Sequence, residues 1–326
     1  MFAIFLHSGQ GNAAIMAGMR KNRLEMTDIT VALGGGGVKC YSQIGVLRVL
    51  EREGFRIRGI AGTSAGGIVA ALYAAGYTPD EIQQFHAGLN LRRLLKRKAG
   101  EGPGLFGLAR VREAFQKLLG DRTFTDLKIP LALTSVDLTT GQAHFLTEGS
   151  VLEALMSAVA IPGLFPATSR GSHILLDGGV LHPVPVTAAR ALAPHCPVVA
   201  VALFPPHHSW HCHPFPNVLQ SVPILRHIAR WPLVEAFSIY VRAMDLSQRM
   251  LAELRLEADK PDWVIRPQVD HLGLFDPVDI ASVVQIGEEA TEKSLVQFQQ
   301  ESLQFSKNFL QVAVSPPSFS ISKHGS

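Results

Sequence analysis

Short apolar runs alternate along this chain with longer stretches whose apolar residues recur every three or four positions. The runs at 29–33 (ITVAL), 57–61 (IRGIA), 131–136 (LALTSV), 174–176 (ILL), 197–204 (PVVAVALF) and 263–265 (WVI) predict buried strands. Ile44, Leu47 and Leu50 stand three apart and predict a helix over 41–53 that stops at Gly54. An apolar helix is predicted over 67–75, and Thr78 followed by Pro79 reads as the cap and first residue of the next one. Further helices are predicted over 151–160, 231–258 and 277–298. Residues 92–110 are basic and glycine-rich and predict an irregular surface segment. Strands alternating with helices predict an α/β three-layer sandwich, a central mostly parallel sheet flanked by helices on both faces.

Composition agrees with that layering. The chain has 326 residues, 47% of them hydrophobic and 17% charged. That charged fraction is below the ~25% usual for soluble domains, and it suits strands covered on both sides. A net charge of +3 gives no electrostatic case for nucleic acid. Cys40, Cys196 and Cys212 form no disulfide framework. No apolar run reaches the ~18 residues of a spanning helix. The first residues lack a basic leader, so a cytoplasmic location, with peripheral contact to a membrane, is the expectation. Residues 28–300 are expected to form one domain, between a flexible N-terminal extension (1–27) and a partly disordered tail (301–326).

Two glycine-rich turns carry the candidate chemistry. The first strand ends in Gly34, Gly35, Gly36 and Gly37, whose backbone N–H groups are open to an anion. The run lacks both the Rossmann spacing and the P-loop lysine, and a tight strand-to-helix turn is its plain alternative. The second turn is Gly62-Thr63-Ser64-Ala65-Gly66, between a predicted strand and a predicted helix. That context makes Ser64 a nucleophile-elbow serine, with helix N–H groups aimed at the attacked carbonyl. Asp177, followed by Gly178 and Gly179, ends an apolar strand. It reads either as an ordinary turn aspartate or as a base, a weak one at the usual pKa of ~3.9.

The ordered set GGGVK, GTSAG, IPGLFP (161–166) and DGG resembles patatin-like phospholipases of the bacterial type, which are related to neuropathy target esterase catalytic domains. The resemblance covers about residues 28–300. It implies a Ser–Asp dyad with Ser64 as nucleophile and Asp177 as base, and an oxyanion loop at Gly35, Gly36 and Gly37. It implies a serine acyl hydrolase of lipid esters, of the phospholipase or lysophospholipase type, that needs no cofactor and no metal. An acyltransferase using the same dyad, and a degenerate lipid-binding protein, are the alternatives. Lys39 stands where arginine is commoner, Cys40 where glycine is usual, and residues 137–141 (DLTTG) resemble the family's T-D-L-x-T-G turn.

Three further features stay open. His207, His208, His211, Cys212 and His213 have spacing that suits zinc, but their Pro-rich flanks read as a surface loop. His182 or His271 would complete a Ser–His–Asp triad in chain order, against the resemblance. Arg92, Arg93, Lys96, Arg97 and Lys98 form a basic cluster suited to anionic headgroups, and Leu105, Phe106 and Leu108 beside it read as a lid or as core.

Overall fold

The computed structural model of the protein describes residues 27–206 and 232–314. Its strands are β1 (Thr27–Leu33), β2 (Phe55–Gly62), β3 (Leu131–Asp137), β4 (Ala143–Leu146), β5 (Thr168–Arg170), β6 (His173–Asp177), β7 (Val198–Val201) and β8 (Trp263–Ile265). They form one sheet in the order β5-β6-β3-β2-β1-β7-β8, with β4 paired to β3 off that path. From β8 to β3 every pairing is parallel. The β3–β4, β3–β6 and β5–β6 pairings at one end are antiparallel.

The period-two geometry of the strands divides their side chains between two cores. Ile29, Val31 and Leu33 of β1, Leu131 and Leu133 of β3, and Val199 and Val201 of β7 face the larger core. There they meet α1 (Tyr41–Arg52), α2 (Ala65–Ala74), α3 (Pro79–Ala87), α5 (Ala109–Leu119), α6 (Val151–Ala158) and α9 (Ile280–Val314). A four-residue helix, α4 (Leu91–Leu94), lies between α3 and α5. The opposite positions are small, Ala32, Ala61, Ala132 and Ala200, and take α7 (Val186–Leu192) and α8 (Pro232–Asp259). Strands buried on both faces are why the sequence shows continuous apolar runs rather than alternation.

The helix cap at Thr78 forms as predicted: the Glu81 amide donates to Thr78 Oγ at 3.3 Å, and the Thr78 amide donates to Glu81 Oε2 at 2.8 Å. The last helix runs to Val314, past the predicted end near 298. The predicted extension (1–27, apart from Thr27), the end of the predicted tail and the His207–His213 cluster lie outside the described residues.

Residues 92–110 are irregular but tightly bonded. The Arg97 guanidinium donates to the carbonyls of Glu101 at 2.9 Å and Gly102 at 2.8 Å, and to that of Gly104. Glu101 accepts from the amides of Lys98, Leu108 and Ala109. Lys98 pairs with Glu113. Phe106 and Leu108 are core residues, and only Leu105 of that trio is exposed.

Candidate active site

β1 and β2 are parallel neighbours, so both glycine-rich turns emerge at the same edge of the sheet, where open α/β sheets bind ligands. The elbow is built by close approach. A Cβ on Gly62 would stand 2.5 Å from Gly67 Cα, and one on Gly66 would stand 2.5 Å from the Gly34 carbonyl oxygen. Ser64 between them has φ 53° and ψ −131°. Left-handed φ is unfavourable for a residue with a side chain, by roughly 1–3 kcal/mol, and it persists here because both flanks are locked. Thr63 is the lock: its hydroxyl donates to the His182 carbonyl at 2.8 Å and lies 2.7 Å from Thr134 Oγ on β3.

Asp177 comes from β6, at the other end of the sequence motifs. Its amide donates to the Ala160 carbonyl at 3.0 Å, which ties the strand end to the IPGLFP segment. The carboxylate reaches back to the elbow. Oδ1 accepts the Gly179 amide at 2.8 Å, and the Ser64 side chain interacts with the carboxyl. Among the described residues Oδ2 is buried with no hydrogen-bond partner. Deep burial pushes the Asp177 pKa up to about 6, against the opposing pull of Ser64 and the Gly179 amide. The ordinary carboxylate value anticipated from the sequence is therefore corrected by desolvation.

The amides of the glycine run are not equally open. The Gly34 amide donates to the Val201 carbonyl and the Gly35 amide to the Pro183 carbonyl, each at 3.0 Å, so Gly35 holds the loop rather than offering a donor. Among the described residues no backbone acceptor takes the amides of Gly36, Gly37 or Ala65. Gly37 is obligatory, with φ 60° and a Cβ position 2.2 Å from the Leu274 carbonyl oxygen. Gln43, wholly buried on α1, donates to the Gly34 carbonyl at 2.6 Å and braces the turn from below. Cys40 has φ −60° and ψ −18°, an ordinary right-handed conformation, so the glycine usual at this position is not required here. Lys39 is buried with its ammonium 5.5 Å from the Phe204 ring centre, and desolvation brings its pKa down to about 8.

Ser64 opens onto a cavity of about 270 Å³. Its walls are apolar: Ile68, Leu94, Leu108, Phe115, Ile161 and Phe165 are among them. Leu91, Leu94 and Leu95 line it, while Arg92 and Arg93 on the same turn face solvent. Of the five predicted basic residues, Arg97 and Lys98 are committed to the loop, and Arg92, Arg93 and Lys96 make no ion pair among the described residues. The His182 ring packs edge-on to Phe145 at 5.1 Å and His271 is exposed, and neither ring has a hydrogen bond to Ser64 or Asp177 among the described residues. Gln43, Thr63, Thr134 and Pro183 were not singled out from sequence, because their roles arise from contacts between distant segments.

Residues 31–190 match the family model described as patatin-like phospholipase. An uncharacterized NTE family protein of Mycobacterium tuberculosis is 31% identical over 160 residues, 48% of this chain and 44% of that one. The Bacillus subtilis protein YqhO, also uncharacterized, is 32% identical over 203 residues, 52% of this chain and 69% of that one. The crystal structure of VipD from Legionella pneumophila superposes with a TM-score of 0.53 at 14% identity, over 84% of this chain and 67% of that one, which is a likeness of fold. The chain thus spans less than half the length of the mycobacterial relatives it matches. The family match, the 32% identity to a protein it largely covers and the ordered motifs agree: the chain belongs to the patatin-like phospholipase family.

Proposed function

We propose that the protein hydrolyses carboxylic esters of lipids through a Ser64–Asp177 dyad. The observation that carries this reading is a serine held at positive φ at the mouth of an apolar cavity, beside a deeply buried carboxyl and amides with no backbone partner among the described residues. Asp177 takes the Ser64 proton as Oγ attacks the ester carbonyl. The amides of Gly36, Gly37 and Ala65 receive the oxyanion, each such donor contributing roughly 3 kcal/mol to barrier lowering. The alcohol leaves with the proton from Asp177, and the acyl chain remains in the cavity as the ester of Ser64. Asp177 then deprotonates the water that releases the fatty acid. A base with a pKa of about 6 suits this cycle, since it is ionised at neutral pH yet basic enough to accept a proton.

Cys40 departs from the glycine usual at its position, but its ordinary backbone conformation gives no support to a degenerate site. Peripheral membrane contact fits the same reading. Arg92, Arg93 and Lys96 stand at the turn that lines the cavity, placed to meet anionic headgroups while an acyl chain enters. Among the described residues no helix is long and apolar enough to cross a membrane. The test is fatty-acid release from lysophospholipid and phospholipid vesicles by the wild type, Ser64→Ala and Asp177→Asn. Release by the wild type alone supports the proposal, and equal release by all three overturns it.

A further inference from the structure

At the antiparallel end of the sheet, three side chains with metal-binding chemistry converge outside the candidate active site. Asp137 ends β3, His144 lies in β4 and His173 begins β6. The register puts them on one face: His144 is paired with Ser135, two residues before Asp137, and Asp137 is paired with Leu175, two residues after His173. One ligand atom from each residue lies within 4.8 Å of the other two. The rings of His144 and His173 are 5.3 Å apart between centres, with planes at 54°. Two imidazoles bound at about 2.1 Å to a tetrahedral ion have ring centres roughly 5 Å apart, so this pair already has the spacing of two ligands.

The carboxylate is fixed from behind. Asp137 Oδ1 accepts the Thr139 amide at 3.0 Å, and Oδ2 accepts the Thr140 hydroxyl at 2.9 Å and lies 2.8 Å from His173 Nδ1. Hydrogen bonds of this outer kind orient metal ligands. A hairpin turn closed by an Asp–His hydrogen bond accounts for Asp137 and His173. It does not account for His144, whose ring makes no hydrogen bond among the described residues and packs against that of His173. The His173 side chain is 45% exposed, which leaves an ion a way in.

We propose that Asp137, His144 and His173 bind a divalent transition ion of the zinc class, with water as the fourth ligand. Two imidazoles and one carboxylate favour such an ion over calcium or magnesium, which take oxygen ligands. Tetrahedral ligand atoms stand roughly 3.4 Å apart, so closure needs about an ångström of adjustment from the two histidines. The ion displaces the His173–Asp137 hydrogen bond and joins β3, β4 and β6. Its role is structural: β6 runs from His173 to Asp177, so the ion stiffens the strand that delivers the proposed base, and no step of the ester chemistry passes through it.

The experiment is a cobalt(II) titration of the full, untagged, chelator-treated chain, read by visible absorption and competed with zinc. The wild type is compared with His144→Gln, His173→Gln and a variant in which His207, His208, His211 and His213 become Ala and Cys212 becomes Ser. The expected result is one tetrahedral cobalt per chain, displaced by zinc, with affinity falling about tenfold or more in each of the two glutamine variants and unchanged in the multiple variant. Zinc is also expected to raise the thermal midpoint of the wild type but not that of His144→Gln. Absence of binding, binding indifferent to both glutamine substitutions, or binding lost only in the multiple variant overturns the proposal. Because the readout is spectroscopic, its failure is separate from any failure of the ester-hydrolase reading.

Discussion

Asp137 and Asp177 end neighbouring strands, share one sheet face and are both closed to water, yet their acidities are driven in opposite directions. Asp137 is shielded but shallow, and His173, the Thr139 amide and the Thr140 hydroxyl hold its pKa far below the usual carboxylate range. Asp177 is deep, with one oxygen unpaired among the described residues, and desolvation raises its pKa to about 6. Burial alone therefore does not set the chemistry of a carboxylate. Depth of burial and the number of surrounding donors together set which way its acidity moves.

The largest expected difference is catalytic. Asp177→Asn should lower kcat/KM for ester hydrolysis by about a thousandfold or more, as should Ser64→Ala. Asp137→Asn should leave most of the activity in place at a temperature where it stays folded. Steady-state kinetics on a soluble nitrophenyl ester checks all three, and equal losses at the two aspartates would erase the contrast.

Stability should move oppositely at the same two sites. The raised pKa of Asp177 means that between about pH 4 and 6 the folded chain holds a proton that the unfolded chain has lost. Its contribution to stability therefore falls across that window and stays unfavourable above it, by roughly 3 kcal/mol in total. Asp177→Asn should stabilise the fold at pH 7 and change little below pH 4. The lowered pKa of Asp137 gives the reverse sign: its contribution is full above the ordinary carboxylate range and is lost as the pH falls through its folded value. Asp137→Asn should thus destabilise the protein at pH 7. Urea unfolding of both variants at pH 7 and pH 4 reads the two signs directly.

A smaller effect is expected at the nucleophile. Ser64→Gly removes the side chain from a left-handed backbone and should gain about 1 kcal/mol of stability while abolishing activity. Ser64→Ala keeps the strain and should show no such gain. Smallest per substitution is the effect of the surface charges: replacing any one of Arg92, Arg93 and Lys96 by Gln should weaken binding to anionic vesicles by up to about 1 kcal/mol and leave hydrolysis of the soluble ester unchanged.

Much of this was legible in the sequence because the signals were local. Residues 263–265 read as a strand from three letters, and the strand-turn-helix context of Ser64 announced the elbow. The helix Ala109–Leu119 was missed although Val111, Phe115 and Leu119 mark its buried face at four-residue spacing. The basic, glycine-rich stretch before it masked that period. The strands Ala143–Leu146 and Thr168–Arg170 are short and mostly unburied, so they carry almost no apolar pattern. What stayed hidden at the site was non-local. The Gly35 amide is taken by Pro183 and Thr63 is locked by Thr134, and neither is visible before the chain is folded. The acidity of Asp177 depends on how deeply β6 is buried, which no short motif records.

The central claim is that Asp177 activates Ser64, and the most direct measurement is the rate at which a fluorophosphonate phosphonylates Ser64, with loss of fluoride, as a function of pH, followed by intact mass. The wild-type rate should rise with pH to a plateau with a midpoint near 6, and Asp177→Asn should react slowly with no such midpoint. An unchanged rate and pH profile in Asp177→Asn would contradict the claim.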